Sequence, residues 1–237
     1  MPSVVHLDEV GSTNDWVADA AREGAGDGLW VRADRQRSGR GRRGRPWTSQ
    51  TGNLLISTLV RSQPSEGPPA QLSFVMALAL HDAASTWTEP RRLALKWPND
   101  LMLDDTKCAG ILVEGRDGIV IIGCGVNLAS HPADTERPAT SFPAAGIAPP
   151  EAGEAAERLV DAFARRRAEW RSEGFAATRT AWLSRAYNMG GRMEARLGTA
   201  TYSGIFEGLA PEGALLLRED DGTLRSVHAG EVFGLSV

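Results

Sequence analysis

Cysteine is scarce in this chain. Cys108 and Cys124 are the only two among 237 residues, too few for a disulfide framework. The four histidines, His6, His81, His131 and His228, fall at no metal-ligand spacing, which argues against a zinc centre. No apolar run approaches the ~20 residues of a membrane span. The start, MPSVVHLDEVGSTND, has neither the basic head nor the apolar core of a signal peptide. A G-x-S-x-G elbow is missing, and with it the case for a Ser-His-Asp nucleophile. The formal net charge of -4 and pI near 5.6 give no overall field for a polyanion. What remains is a soluble globular protein, expected in the cytoplasm without a membrane partner. At 42% hydrophobic it can bury one substantial core and a small second one.

Against that plain background stands SGRGRRGRPW, Ser38 to Trp47. Gly39, Gly41 and Gly44 have the G-x-G-x-x-G spacing of a dinucleotide loop, but such a loop follows a strand and opens a helix whose amides bind phosphate. Here Pro46 and Trp47 lead into TGNLLISTLV, which reads as a strand. A loop between two strands has no helix dipole to offer, so its positive charge must come from side chains: Arg40, Arg42, Arg43 and Arg45. The glycines let the backbone approach a ligand closely. Binding of a small anion, a solvated basic surface loop, and an Arg-Gly grip on nucleic acid all remain open from this string.

Elsewhere, a short strand is expected near Val4–Leu7. A helix should follow, with Ser12 and Asp15 forming a capping box. Leu72, Val75, Met76, Ala79, Leu80, Ala83 and Trp87 recur at three- and four-residue steps, predicting a helix over about 70–87 with a core-facing stripe. RLALKWPNDLML, CAGILVEG and GIVIIGCGVNLA, separated by PND, DDTK and GRDG turns, predict an antiparallel meander. A Pro- and Ala-rich loop leads to a long helix from about Glu151, on which Arg165, Arg166 and Arg167 read as a solvated face, and to another over about 175–186. After Gly190-Gly191, RMEARLG, ATYSGIFEGLA, GALLLRED and TLRSVHAGEV predict four strands of a small barrel.

Three turns of the meander carry polar groups. Pro98-Asn99-Asp100, beside Lys96, reads as a plain type I turn or as oxygen ligands for a magnesium-phosphate group. Lys107 precedes an apolar strand in which Ala109-Gly110 removes bulk where a ligand could lie. In GCGVN, Gly123 and Gly125 bracket Cys124, and Asn127 offers donor and acceptor groups.

Taken together, GSTND, GRGRRGRPW, KWPNDLMLDDTKCAGILVE and GCGVNL, in this order and spacing from Gly11 to Leu128, resemble biotin protein ligase, and the C-terminal strands with AGEV resemble that family's end domain. The resemblance implies an α/β (α+β) catalytic domain like the class II aminoacyl-tRNA synthetase core over residues 1–188, and an SH3-like barrel over 189–237. It implies that biotin's carboxylate attacks the α-phosphate of ATP with Mg²⁺ present, and that biotinyl-5'-adenylate then acylates a lysine of the biotin carboxyl carrier domain of a biotin-dependent carboxylase. By the same carry-over, Ser12, Thr13, Asn14, Gln36, Gly39, Arg40, Gly41, Arg42, Lys107 and Gly110 meet biotin. Arg40, Arg42, Arg43, Arg45, Trp47, Lys96, Asn99 and Asn127 meet the nucleotide, and Asp100 the metal. Lys107, with Arg40 and Arg42, is the expected catalyst. A helix-turn-helix found in some relatives does not precede GSTND here, so DNA is not an expected partner; a homodimer is left open. Cys108 is expected to be a small buried apolar residue. Lipoate protein ligase, with related adenylation chemistry, is the nearest rival, and a nucleic-acid-binding module is the rival from another class.

Overall fold

The computed structural model describes residues 3–48, 50–63, 66–133, 135, 138–197, 200–228 and 231–234. In chain order the elements are β1 (Val4–Val10), α1 (Thr13–Arg22), β2 (Trp30–Gln36), β3 (Leu54–Arg61), α2 (Leu72–Ala84), β4 (Leu93–Lys96), β5 (Asp100–Leu103), β6 (Thr106–Arg116), β7 (Ile119–Val126), α3 (Ala152–Glu173), α4 (Phe175–Leu183), β8 (Arg192–Leu197), β9 (Ala200–Leu209), β10 (Leu215–Arg218), β11 (Leu224–Val227) and β12 (Glu231–Gly234).

The first seven strands form one sheet in the order β1-β2-β3-β7-β6-β5-β4. Only β1 and β2 run parallel; the remaining neighbours are antiparallel, and β4 to β7 form the expected meander. Strand β3, LLISTLVR, is buried along seven of its eight residues because both faces are covered. On one face Leu54, Ile56, Val120, Ile122 and Cys124 pack under α2 and α3. On the other, Leu59 and Ile121 meet Val17 and Ala21 of α1. Helix α2 is apolar nearly all round because it lies between the sheet and the other helices.

Three expectations change. Ser12 occupies the N-cap position of α1, but its side chain makes no cap; Gln36 of β2 takes the first-turn amide instead, accepting from the Thr13 N–H at 2.7 Å. Of Arg165, Arg166 and Arg167 on α3, only Arg165 is exposed. Arg166 makes a two-point contact with Asp82 at 2.7 and 3.1 Å, and the buried Arg167 bonds Asp27, because α3 packs along α2 and the sheet and brings acids of other elements to its arginines. The terminal sheet has five strands, in the order β11-β10-β9-β8-β12, since TLRSVHAGEV divides into β11 and β12; Ala229 and Gly230 of AGEV lie outside the described residues.

The terminal sheet shares the main core. Met193, Phe206, Leu215 and Leu217 belong to the apolar cluster that contains α2. Trp97, buried beside the PND turn, donates its indole N–H to the Gly213 carbonyl at 3.1 Å. The chain segment before β8 also adds to the edge of the main sheet, where Ala186 bridges Leu95 and the Tyr187 amide donates to the Leu95 carbonyl at 2.8 Å.

Candidate active site

On the α1 side of the sheet a cavity of about 370 Å³ opens between the α1 N-terminus, the Arg-Gly loop and the β4–β7 meander. Its floor is glycine. A Cβ on Gly123 would lie 2.2 Å from Asn14 Oδ1, and one on Gly125 would lie 2.3 Å from the Trp47 ring. Gly110, which pairs with Gly125 across the strands, is also under Trp47. A side chain on any of the three would displace what lies over it.

Lys107 reaches this floor through a β-bulge. Leu101 pairs with Ala109 and Met102 with Lys107, leaving Cys108 as an extra residue between them. Strict alternation would put Lys107 on the helix-covered face with Ala109 and Ile111. The bulge turns both Cys108 and Ala109 into the core and leaves Lys107 and Gly110 facing the cavity together. A Cβ on Gly110 would be 3.3 Å from the Lys107 ammonium. That ammonium is 2.6 Å from the buried Asp100 carboxylate and 5.7 Å from the Trp47 ring centre. Burial raises the Cys108 thiol to about 12, so it stays protonated and packs as a small apolar group.

At the α1 end, Thr13, Asn14, Ser57 and Gln36 form a polar nest. Thr13 Oγ1 donates to Gln36 Oε1 at 3.0 Å, and Ser57 Oγ is 2.7 Å from Thr13 Oγ1 and 2.6 Å from Asn14 Oδ1. Two hydroxyl protons therefore serve three contacts. The nest has an acceptor to spare, so it suits a ligand that brings N–H donors.

The Arg-Gly loop folds on itself as a hairpin, with the Gly41 amide on the Arg45 carbonyl at 2.7 Å and the Trp47 amide on the Gly39 carbonyl at 2.9 Å. Arg43 and Gly44 turn its tip at φ 58° and 70°. Arg40 donates Nη1 to Asp15 at 2.8 Å and Nη2 to both oxygens of Glu114 at 3.1 Å. Its pKa is raised, first by the hydrogen bond to Asp15 and, against partial burial, by Glu114. Arg42 Nη1 is 3.4 Å from Asn99 Oδ1, while Asn99 Nδ2 donates to the Ile111 carbonyl at 2.7 Å. Asn127, buried, donates Nδ2 to the Thr140 carbonyl at 3.0 Å.

Of the residues singled out in the sequence, Ser12, Thr13, Asn14, Gln36, Arg40, Gly41, Arg42, Arg45, Trp47, Asn99, Asp100, Lys107, Gly110 and Asn127 line the one cavity. Gly39, Arg43 and Lys96 do not. Gly39 pairs within the hairpin, Arg43 is exposed at its tip, and the Lys96 ammonium lies 5.5 Å from the centre of the Tyr187 ring on the segment that leads to β8. Sequence reasoning gave no role to Ser57, Asp15 beyond a cap, or Glu114. A Ser and a Glu inside otherwise apolar strands were the available signal.

A mixed α/β fold gathers three arginines and a lysine around a glycine floor, with a donor-seeking polar nest at the far end, so the cavity suits a ligand with N–H donors at one end and an anionic group at the other. Residues 10–127 match the Biotin/lipoate A/B protein ligase family, and residues 192–234 match the Biotin protein ligase C terminal domain. The chain is 43% identical to the biotin--[acetyl-CoA-carboxylase] ligase of Paracoccus denitrificans, over 89% of this chain and 92% of the relative. It is 32% identical to that of Mycobacterium tuberculosis, over 96% and 87%. Its fold matches the biotin protein ligase of Aquifex aeolicus in complex with biotin and ATP, with a TM-score of 0.86 at 24% identity over 99% of this chain and 100% of that one. The chain belongs to the biotin protein ligase family: it is an enzyme that activates biotin with ATP and transfers it to a carboxylase.

Proposed function

We propose that the 370 Å³ cavity holds both substrates of this reaction end to end, with the fused bicyclic ring of biotin in the Thr13–Asn14 nest and the nucleotide between Trp47, Asn99 and Asn127. One observation carries the reading. The proton-poor nest and the cation cluster around Lys107 share a single cavity, so a ligand with N–H donors at one end can place its anionic end at the other. Biotin's ureido group brings two N–H donors. The dithiolane of lipoate brings none, and would leave the nest's spare acceptor unmatched.

In the first step a biotin carboxylate oxygen attacks the α-phosphorus of ATP and the bond to the departing pyrophosphate breaks. Two anions must meet. Lys107 shields that approach as a point charge, Arg40 and Arg42 hold the loop over the product, and Arg45 reaches toward phosphate. Trp47 stacks on adenine. In the second step an uncharged lysine amine of the biotin carboxyl carrier domain attacks the acyl carbon, AMP leaves, and the amine gives up its proton as the amide forms.

The donor set fits Mg²⁺ entering with ATP. Asp100 would supply one buried carboxylate and Asn99 an amide oxygen, and the other ligands would come from phosphate and water. Charge neutralisation at the phosphates is what the ion supplies. In this reading residues 1–188 are a catalytic domain of the class II aminoacyl-tRNA synthetase type and 189–237 an SH3-like barrel, working in the cytoplasm where ATP is available. A homodimer suits the outer edge of β1, which has no strand neighbour among the described residues. The test is direct: with ATP and Mg²⁺, pyrophosphate release and an acyl-adenylate should appear with biotin and not with lipoate, followed by labelling of a carrier domain. Equal turnover of lipoate would overturn the placement of the nest.

A further inference from the structure

Glu114 occupies a position on β6 where a strand normally shows a solvated carboxylate, yet two other elements converge on it. Asn14 of α1 donates Nδ2 to it at 2.6 Å, and Arg40 of the loop donates Nη2 to both its oxygens at 3.1 Å. Asn14 has two chemically opposite ends, and its other end, Oδ1, is 2.6 Å from Ser57 Oγ above Gly123. Ser57 cannot choose between those ends, because a hydroxyl both donates and accepts. A carboxylate can. It only accepts, so a flipped Asn14 would set oxygen against oxygen at Glu114.

We propose that Glu114 is a positioning residue for biotin ligation: it fixes the polarity of Asn14, so that its carbonyl end serves the head-group nest, and with the same carboxylate ties Arg40 and the loop to that nest. The proposal rests on the reading that biotin's ring occupies the Thr13–Asn14 end. Correct seating of the ring and correct placement of the loop then depend on one side chain. The loop is pulled toward the nest by Glu114 and Asp15 together, so Asp15 alone leaves Arg40 attached to α1 without reference to Asn14.

The experiment is biotin-dependent pyrophosphate exchange with wild type, Asn14→Ala, Arg40→Ala, Glu114→Gln, Glu114→Asp and the Glu114→Gln/Arg40→Ala double variant, each with its melting temperature. Glu114→Gln keeps the shape but offers an amide that pairs with either end of Asn14. It should raise the KM for biotin about tenfold, the loss expected for a hydrogen bond to a charged group, with kcat little changed. Glu114→Asp should fall between wild type and Gln, and it carries the comparison if the Gln variant does not fold. Arg40→Ala should raise the KM less in the Gln background than in wild type, because both changes break the same contact. A higher KM in Asn14→Ala with an unchanged one in Glu114→Gln would overturn the proposal and leave the biotin placement standing. A lowered melting temperature with unchanged KM would reduce Glu114 to a structural role. An unchanged KM in Asn14→Ala would remove the biotin placement and the proposal with it.

Discussion

Lys107 is the residue on which the first step should depend most. Among the described residues its ammonium has one carboxylate partner, Asp100 at 2.6 Å, in a cavity that also holds Arg40, Arg42 and Arg45, so it can be shared with an incoming anion. Lys107→Ala should slow adenylate formation about 10²-fold or more, by analogy with removing one oxyanion donor, and should weaken ATP binding far less. Transfer from chemically made biotinyl-adenylate should suffer less than the complete reaction, and Lys107→Arg should rescue only in part because a planar fork is not a point charge. Near-normal pyrophosphate release by Lys107→Ala would move the role to Arg40. Gly125 offers a second test at this scale. Since a Cβ there would meet the Trp47 ring at 2.3 Å, Gly125→Ala should lift the indole and raise the KM for ATP while leaving that for biotin nearer normal, measurable by titrating each substrate separately.

The Arg-Gly loop is the element whose order should track the ligand. Its internal hydrogen bonds are a few hairpin contacts, and Arg40 and Arg42 tie it to Asp15, Glu114 and Asn99 through long side chains, so an anion bound beneath it adds the contacts that would order its backbone. Hydrogen exchange between Gly39 and Trp47 should slow when biotin or the adenylate binds. Equal exchange with and without ligand would count against this. Arg42→Gly removes a charge and adds backbone freedom where the loop meets Asn99, so the adenylate should escape and acylate bystander lysines. The chain itself has only two lysines, Lys96 and Lys107, so stray biotin should appear on an added lysine-rich protein and hardly on the enzyme. A variant that makes no adenylate and shows no stray labelling would end the retention role.

For the whole molecule, the site hangs on a core that both sheets share. Trp97 joins the PND turn to the terminal sheet through its bond to the Gly213 carbonyl, so Trp97→Phe should cost about 1–3 kcal/mol in denaturant unfolding by leaving that buried carbonyl unpaired. It should also disturb Asn99 and Asp100, two and three residues on, and raise the KM for ATP. Stability should also fall in mild acid through His81. Burial, and then the Arg185 charge, hold its pKa near 4 against a usual 6.5. The unfolded chain therefore binds the extra proton between those values, so stability is full above about pH 6.5 and declines toward pH 4, by on the order of 2–3 kcal/mol. His81→Gln should flatten that part of the pH-stability curve; an unchanged slope would clear His81 of the effect.

Much of the site was legible because it is written in short local motifs: an Arg-Gly run between strands, a lysine before an apolar strand, two glycines around Cys124. Local chemistry also fixed the meander and the long helix, whose spacing and turn residues need no distant partner. Other features depended on parts of the chain far from one another. Ser12 looked like a cap until Gln36, 23 residues beyond Thr13, took its place, and Arg166 and Arg167 looked solvated until α2 and the loop before β2 supplied acids. Alternation along β6 would have put Lys107 on the wrong face. Only pairing with β5 creates the bulge that returns it to the cavity, because register is a property of two strands and cannot be read from one. In the same way the sequence determined that an Arg-Gly loop, a lysine and a polar helix start exist, and the tertiary structure alone decided that Glu114 binds the first to the last, since a carboxylate's partners are set by which elements fold against it.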